Sequence, residues 1–176
     1  MITIITGEQG TGKSTILTYK LYKAYNLGWD IFCNYYVDFP HLPIAMTHFE
    51  NLRSDDLVNA CVGIDEAENI VDSRTSLAKA NRLIVSWIYQ SRKRNIDLYL
   101  CNHLLTALDL RIRQEANYVI EAAGYDPSLD TVTYYQLSRS NGTSKRTKLR
   151  NCRQIFKLFD TRERIANERT LDSFSS

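Results

Sequence analysis

Proline and glycine are scarce in this chain, 3 and 7 of 176 residues, which excludes the collagen-like and low-complexity classes. No apolar run approaches the roughly 18 residues of a membrane span. The apolar stretch from Met1 to Thr6 is too short for a signal peptide and lacks flanking basic residues, so the chain reads as intracellular. Its four cysteines, Cys33, Cys61, Cys101 and Cys152, form no C-x-x-C pair and have no histidine at ligand spacing. That speaks against zinc and for thiols buried in strands. Acid is missing from two stretches. Thr131 to Phe159 carries only bases, Arg139, Lys145, Arg146, Lys148, Arg150, Arg153 and Lys157, and Ser73 to Ile96 carries Arg74, Lys79, Arg82, Arg92, Lys93 and Arg94.

What is present, 44% hydrophobic, 11% aromatic and 24% charged residues, is enough to bury a core, and the length indicates about one domain. Met1 to Thr6 reads as a strand and Lys13 to Leu27 as a helix with Ile16, Leu17, Leu21 and Ala24 at helical spacing, closed by Gly28. Asp30 to Tyr36 is a second strand, followed by Pro40, Pro43 and a short helix near Phe49 to Asn59. Ala60 to Ile64 is a buried strand, Leu77 to Arg94 a long amphipathic helix, and Asp97 to Cys101 the next strand. Thr106 to Ala116 reads as a short helix and Tyr118 to Ala123 as a strand. Strands alternating with helices imply an α/β fold with a mostly parallel central sheet. After Gly124 the pattern changes to two strand-like runs, Thr131 to Arg139 and Asn151 to Phe159, around Asn141 and Gly142. These predict a C-terminal β-hairpin appended to the sheet. Residues 1–160 are thus expected to form one domain, with a partly helical and then mobile tail over 161–176.

Gly7-Glu8-Gln9-Gly10-Thr11-Gly12-Lys13-Ser14 matches G-x-x-x-x-G-K-[ST] between a strand and a helix, the context of a P-loop. Glycines let the backbone curl so that successive N–H groups face phosphate oxygens, and the helix N-terminus adds partial positive charge. Lys13 would bridge the β- and γ-phosphates of ATP, Ser14 would ligate Mg²⁺, and Thr15 would lie near the α-phosphate. Cys61-Val62-Gly63-Ile64-Asp65-Glu66 is an apolar strand ending in two acids. Asp65 would hold Mg²⁺ through water, and Glu66 would orient or deprotonate the attacking water, which favours hydrolysis over phosphoryl transfer to a metabolite. At the end of the next strand, Asn102 or His103 could hydrogen-bond the γ-phosphate or that water. A nucleotide kinase would share the size and the P-loop but is disfavoured by Asp65-Glu66. A GTPase is disfavoured because no Asn-Lys-x-Asp segment is present.

These motifs, with Arg92-Lys93-Arg94-Asn95-Ile96-Asp97, Asp109-Leu110-Arg111-Ile112-Arg113 and Lys157-Leu158-Phe159-Asp160-Thr161, resemble the FtsK–HerA superfamily of DNA-pumping ATPases, in the additional-strand division of P-loop NTPases. The small size is similar to the genome-packaging ATPases of icosahedral viruses with an internal membrane, archaeal ones especially. Zonula-occludens-toxin-like phage assembly or secretion ATPases share several of the motifs. They usually carry a membrane-spanning segment after the ATPase domain, and no apolar run of that length occurs in this sequence. The resemblance implies a homo-oligomeric ring, pentamer or hexamer, with ATP bound between subunits. It further implies double-stranded DNA and capsid or vertex proteins as partners, and a location in the host cytoplasm or the virion. It implies an arginine reaching across the interface, with Arg92 first and Arg74, Arg82, Arg94 and Arg111 behind. The family commonly has Gln where this sequence has His103.

Overall fold

Every residue of β1 (Ile2–Thr6) is buried. A β-branched run buried on both faces belongs in the middle of a parallel sheet covered on both sides. β1 lies there, paired in parallel with β5 (Ile96–Cys101) on one side and β6 (Tyr118–Asp126) on the other. The computed structural model describes residues 1–44, 59–69 and 95–160. The remaining strands are β2 (Asp30–Cys33), β3 (Leu42–Pro43), β4 (Ala60–Ile64), β7 (Thr131–Ser138) and β8 (Ser144–Arg150). They complete an 8-stranded sheet in the order β3-β2-β4-β5-β1-β6-β7-β8. From β3 to β6 all pairings are parallel, and β7 and β8 run antiparallel to their neighbours. β5 stands between β1 and β4, so one additional strand separates the strand leading to Gly7 from the strand leading to Asp65.

Both faces of the sheet are covered. Ile2, Ile4, Val62, Leu98 and Leu100 pack on one face with Ile112 of the helix α2 (Leu110–Glu115). Ile5, Cys61, Cys101, Ile120 and Val132 pack on the other with Ile16, Leu17 and Leu21 of α1 (Lys13–Tyr25) and Ile155 of α3 (Cys152–Phe156). Side chains as fully buried as these each contribute about 1.5–3 kcal/mol from removal of apolar area from water. α1 lies close on β4, because a Cβ at Gly63 would come within 2.8 Å of Leu21.

The elements expected at Met1 to Thr6, Lys13 to Leu27, Ala60 to Ile64 and Asp97 to Cys101 are found within two residues at each end. Several others differ. The second hairpin strand is not Asn151 to Phe159 but Ser144–Arg150, and Cys152–Phe156 is helical. Cys152 and Ile155, buried at a spacing of three, are one face of a short helix. Asn151, at φ 59, turns the chain into it. Asp130 holds the start of α3, its backbone carbonyl accepting from Cys152 N at 3.3 Å and its side chain from Arg153 N at 3.0 Å. β2 ends at Cys33, although burial alternates on to Phe39, because its pairing partner β4 ends at Ile64. The segment Thr106 to Ala116 is split into a 3₁₀ turn, Leu105–Ala107, and α2, which begins where the Asp109 carboxylate accepts from Arg111 N. β6 runs past Ala123 to Asp126 through a register shift at Gly124. The helices expected at Leu77 to Arg94 and, apart from Asn59, at Phe49 to Asn59 lie outside the described residues, as does the tail from Thr161.

Candidate functional site

The loop from Gly7 to Gly12 joins β1 to α1 at the carboxyl edge of the parallel strands. Gly7, at φ 145, has no room for a side chain, since a Cβ there would meet the Ala122 carbonyl oxygen at 2.7 Å. Gly12, at φ 96, is pressed as closely by Val132 of β7, also at 2.7 Å. Gly10 and Gln9 are exposed, and nothing lies within 4 Å of where a Gly10 Cβ would be. The Thr11 hydroxyl donates to the Glu8 carbonyl at 2.7 Å. Lys13 is 9% exposed, and its ammonium donates to the carbonyls of Gly7 at 2.9 Å and Glu8 at 2.8 Å. The loop is thus drawn around a fixed cation at the N-terminus of α1, whose first turn contains no acid. Thr15 is buried within α1.

Ser14 and Asp65, 51 positions apart, are joined by a hydrogen bond of 2.6 Å from Ser14 Oγ to Asp65 Oδ2. Asp65 Oδ1 accepts from Glu66 N at 3.0 Å. Glu66 is exposed and takes φ 48, a left-handed conformation that costs a side-chain-bearing residue energy and turns it out of the strand direction. Asn34 fixes that turn. Its amide nitrogen donates to the Asp65 carbonyl at 2.9 Å, and its amide oxygen accepts from Asp65 N at 2.8 Å. Asn34 itself is anchored between buried neighbours, as the Cys33 thiol donates to the Tyr35 carbonyl and the Tyr35 hydroxyl lies 3.0 Å from that of Thr18. The Cys101 thiol is pushed well up, first by burial and then by the Asp65 charge. Glu68 also acts on that thiol, and among the described residues its buried Oε2 has no hydrogen-bond partner.

At the end of β5, Asn102 is 1% exposed and spends its amide on the turn, accepting from His103 N at 2.8 Å and donating to the Leu104 carbonyl at 3.1 Å. That turn brings His103 Nδ1 to 3.3 Å from Lys13 Nζ. An ammonium has no lone pair, so in a hydrogen bond with it Nδ1 can only accept. Arg111 is held by Asp109 through Nε at 3.0 Å and Nη2 at 2.7 Å. The hydrogen bond from Arg111 keeps the Asp109 carboxyl below the usual carboxylate range. Arg74, Arg82, Arg92 and Arg94 lie outside the described residues.

Neither Asn34 nor Glu68 was singled out from sequence. Asn34 carries a signal of a kind, a polar residue at the carboxyl end of a strand beside β4, where sites of open α/β sheets form. Glu68 carries none, because a third acid after Asp65-Glu66 looks like a helix-start charge. The donor set fits Mg²⁺. A serine hydroxyl and a carboxylate are hard oxygen ligands of the few that Mg²⁺ takes from protein, and an orphaned carboxylate oxygen close by suits a site that accepts a cation.

No protein-family model matches the chain, and no curated protein matches it in sequence. Solved structures do match in shape. The N-terminal domain of zonular occludens toxin from Neisseria meningitidis superposes with a TM-score of 0.69 at 18% identity, over 90% of this chain and 98% of that one. The DNA-packaging ATPase of Sulfolobus turreted icosahedral virus superposes with a TM-score of 0.64 at 15% identity, over 82% and 95%. The fold is that of a P-loop NTPase. The ATPase domain of G40P has the same fold, with a TM-score of 0.59 at 8% identity over 90% of this chain and 84% of that one. The genome-packaging NTPase of Sulfolobus turreted icosahedral virus 2 shares it too, and its structure holds ATP-gammaS. No helix among the described residues is long and apolar enough to cross a membrane.

Proposed function

We propose that the chain is an ATP-hydrolysing motor that moves double-stranded DNA into a viral capsid, acting as a homo-oligomeric ring of five or six copies at the packaging vertex or in the host cytoplasm. The observation that carries the hydrolytic part is the Ser14–Asp65 hydrogen bond of 2.6 Å beside the Lys13 ammonium, which joins the P-loop to the acid pair of β4. Lys13 and the loop N–H groups of Gly7, Gln9, Gly10, Thr11 and Gly12 hold the phosphates, with Thr15 behind them in α1. Ser14 and Asp65 hold Mg²⁺, which when bound supplies positive charge to the phosphates. Glu66 orients and deprotonates water at the open edge of the site. His103 touches Lys13 and contacts the terminal phosphate or the water, while Asn102 keeps His103 in place. Arg92 of a neighbouring copy completes the site.

The basic arm of β7 and β8 supports a polyanionic partner, and the likeness to a DNA-packaging ATPase supports duplex DNA and capsid proteins as that partner's setting. A second reading, a phage assembly or secretion ATPase, is supported by the overlay on nearly the whole toxin domain. Turnover of ATP with Mg²⁺, with and without duplex DNA, tests the proposal. Hydrolysis that rises steeply with protein concentration and is stimulated by DNA is expected. Mixing inactive Lys13→Ala with inactive Arg92→Ala should restore turnover at hybrid interfaces, since a trans arginine is worth about 10³ in rate or more. Transfer of phosphate to a nucleoside in place of water would overturn the hydrolytic reading. Turnover indifferent to DNA would favour the secretion reading.

A further inference from the structure

The seven bases between Thr131 and Phe159 are not equivalent once the strands are in register. Arg139 donates to the Arg113 carbonyl at 2.8 Å, and Arg153 to the Pro127 carbonyl at 3.0 Å, with Asp130 at 4.0 Å. Those two cations hold turns together. On β8, side chains alternate between faces. Leu149 is buried in the α1-side core with Val132 and Tyr134, so Lys145 and Thr147 share that side. Arg146, Lys148 and Arg150 form a row on the other face, opposite Tyr135, Thr133 and Thr131 in turn. All three are exposed, and among the described residues none makes an ion pair or a side-chain hydrogen bond.

Three cations on one face, about 7 Å apart along the strand, repel one another and outnumber the two acids of β6 on that face, an excess that a line of negative charge relieves. Thr131, at the Arg150 end of the face, is buried, and the face is open around Tyr135 and Leu137. Tyr135 is 40% and Leu137 39% exposed, and β6 sets two acids on the same face, Glu121 opposite Tyr135 and Asp126 opposite Thr131. The Asp126 carboxyl is held below the usual carboxylate range by the Ser128 hydroxyl first and, among smaller causes, by the charge of Lys148. Charge alone can protect an edge strand such as β8 from pairing with another sheet, but that function asks for no particular face, whereas three of the four bases of β8 share one. A single exposed aromatic is too few for stacking a run of unpaired bases, which takes a platform of several rings. A tyrosine hydroxyl between arginine and lysine side chains is instead a further donor to phosphate.

We propose that this face of the β7–β8 arm grips the phosphate backbone of duplex DNA, with Arg146, Lys148 and Arg150 as the contacting cations and Tyr135 beside them. The inference rests on the DNA-motor reading and narrows it to one surface. The contacts carry no base information, so binding should be insensitive to sequence and steeply dependent on salt.

The test compares two full-length triple variants that lose the same charge. One is Arg146→Gln/Lys148→Gln/Arg150→Gln on the proposed face, and the other is Lys23→Gln/Lys145→Gln/Lys157→Gln elsewhere. Duplex binding is followed by fluorescence anisotropy over a range of salt, and basal ATP turnover is followed as a check on folding. The face variant should lose at least about tenfold in affinity, and its log–log salt slope should fall by about 3 units, one for each phosphate contact. The control should keep the wild-type slope, and both should keep basal turnover. Equal slopes for the two variants, or a wild-type slope in the face variant, would overturn the inference while leaving the motor reading intact. So would tighter binding of single strands than of duplex. A wild-type chain that hydrolyses ATP but binds no duplex at low salt would overturn both.

Discussion

Lys13 Nζ lies 3.3 Å from His103 Nδ1, across 90 positions of sequence and the boundary between β1 and β5. The imidazole takes the place beside the P-loop lysine through a turn that Asn102 builds from inside the protein. If His103 polarises the terminal phosphate or the water, His103→Ala should lower kcat by about 10²-fold with little change in KM, a loss typical of one preorganised hydrogen bond. His103→Gln should recover most of it, because the amide spans a similar distance. Steady-state kinetics of the two variants decide, and equal loss in both would reduce His103 to a packing role.

Lys13→Ala and Glu66→Gln should both abolish turnover for different reasons. The first removes the buried ammonium that the Gly7 and Glu8 carbonyls surround, so nucleotide affinity should collapse. The second leaves Ser14, Asp65 and the loop untouched, so ATP with Mg²⁺ should still bind while hydrolysis falls by about 10²–10⁴-fold. Equilibrium binding of a fluorescent ATP analogue separates the two. Normal turnover in Glu66→Gln would remove Glu66 from the mechanism and direct attention to the buried carboxylate of Glu68.

Asn34 is a positioning residue, since its amide bonds to both backbone groups of Asp65 and to neither carboxylate oxygen. Asn34→Ala leaves two backbone groups without partners, at a cost of about 1–3 kcal/mol. The Mg²⁺ concentration giving half-maximal turnover should rise as Asp65 loosens. Asn34→Asp should be worse than its small change in shape suggests, because it sets a carboxylate oxygen against the Asp65 carbonyl. Thermal unfolding and Mg²⁺ titration measure the two effects. A drop in stability with an unchanged Mg²⁺ dependence would make Asn34 structural only.

The Asp109–Arg111 pair sets an acid limit. The Asp109 carboxyl is held below its ordinary value chiefly by the Arg111 hydrogen bond, so the folded form binds its proton less readily than the unfolded chain. The stabilisation is therefore complete above the unfolded carboxylate value of about 4 and is lost as pH falls through the lower folded value. Arg111→Ala should therefore lower stability at pH 7, where the contribution is fully present, move the acid unfolding midpoint upward, and make the fall in stability below about pH 4 shallower. An unchanged midpoint would show that Asp109 gains its protection from the helix start alone.

The P-loop, the acid pair and the buried strands beside them were legible because each is local, a motif or an apolar run whose neighbours in sequence are its neighbours in space. Ala60–Ile64 was bounded correctly from its residues. Asn34 was not legible as a site residue, since what it bonds is backbone 31 positions away, and backbone carries no residue signature. The hairpin failed in an instructive way. Cys152, Ile155, Phe156 and Phe159 form the more hydrophobic run, while β8 buries only Leu149 and lies at the sheet edge. Hydrophobicity marks burial, and an edge strand needs little of it.

β7 is a wall with two rooms. On one side Val132 fills the space that a side chain at Gly12 would need. On the other, one and three positions along and on the opposite face, Thr133 and Tyr135 stand against Lys148 and Arg146. A strand pinned by hydrogen bonds on both edges does not bend one surface without carrying the other. A pull on the outer row would then have only a single thickness of backbone to cross before it met the phosphate loop, like a hand on one side of a door felt on the other. Enlarging Gly12 or trimming Val132 would alter how firmly that door is hung, and with it how far a tug from outside registers at Lys13.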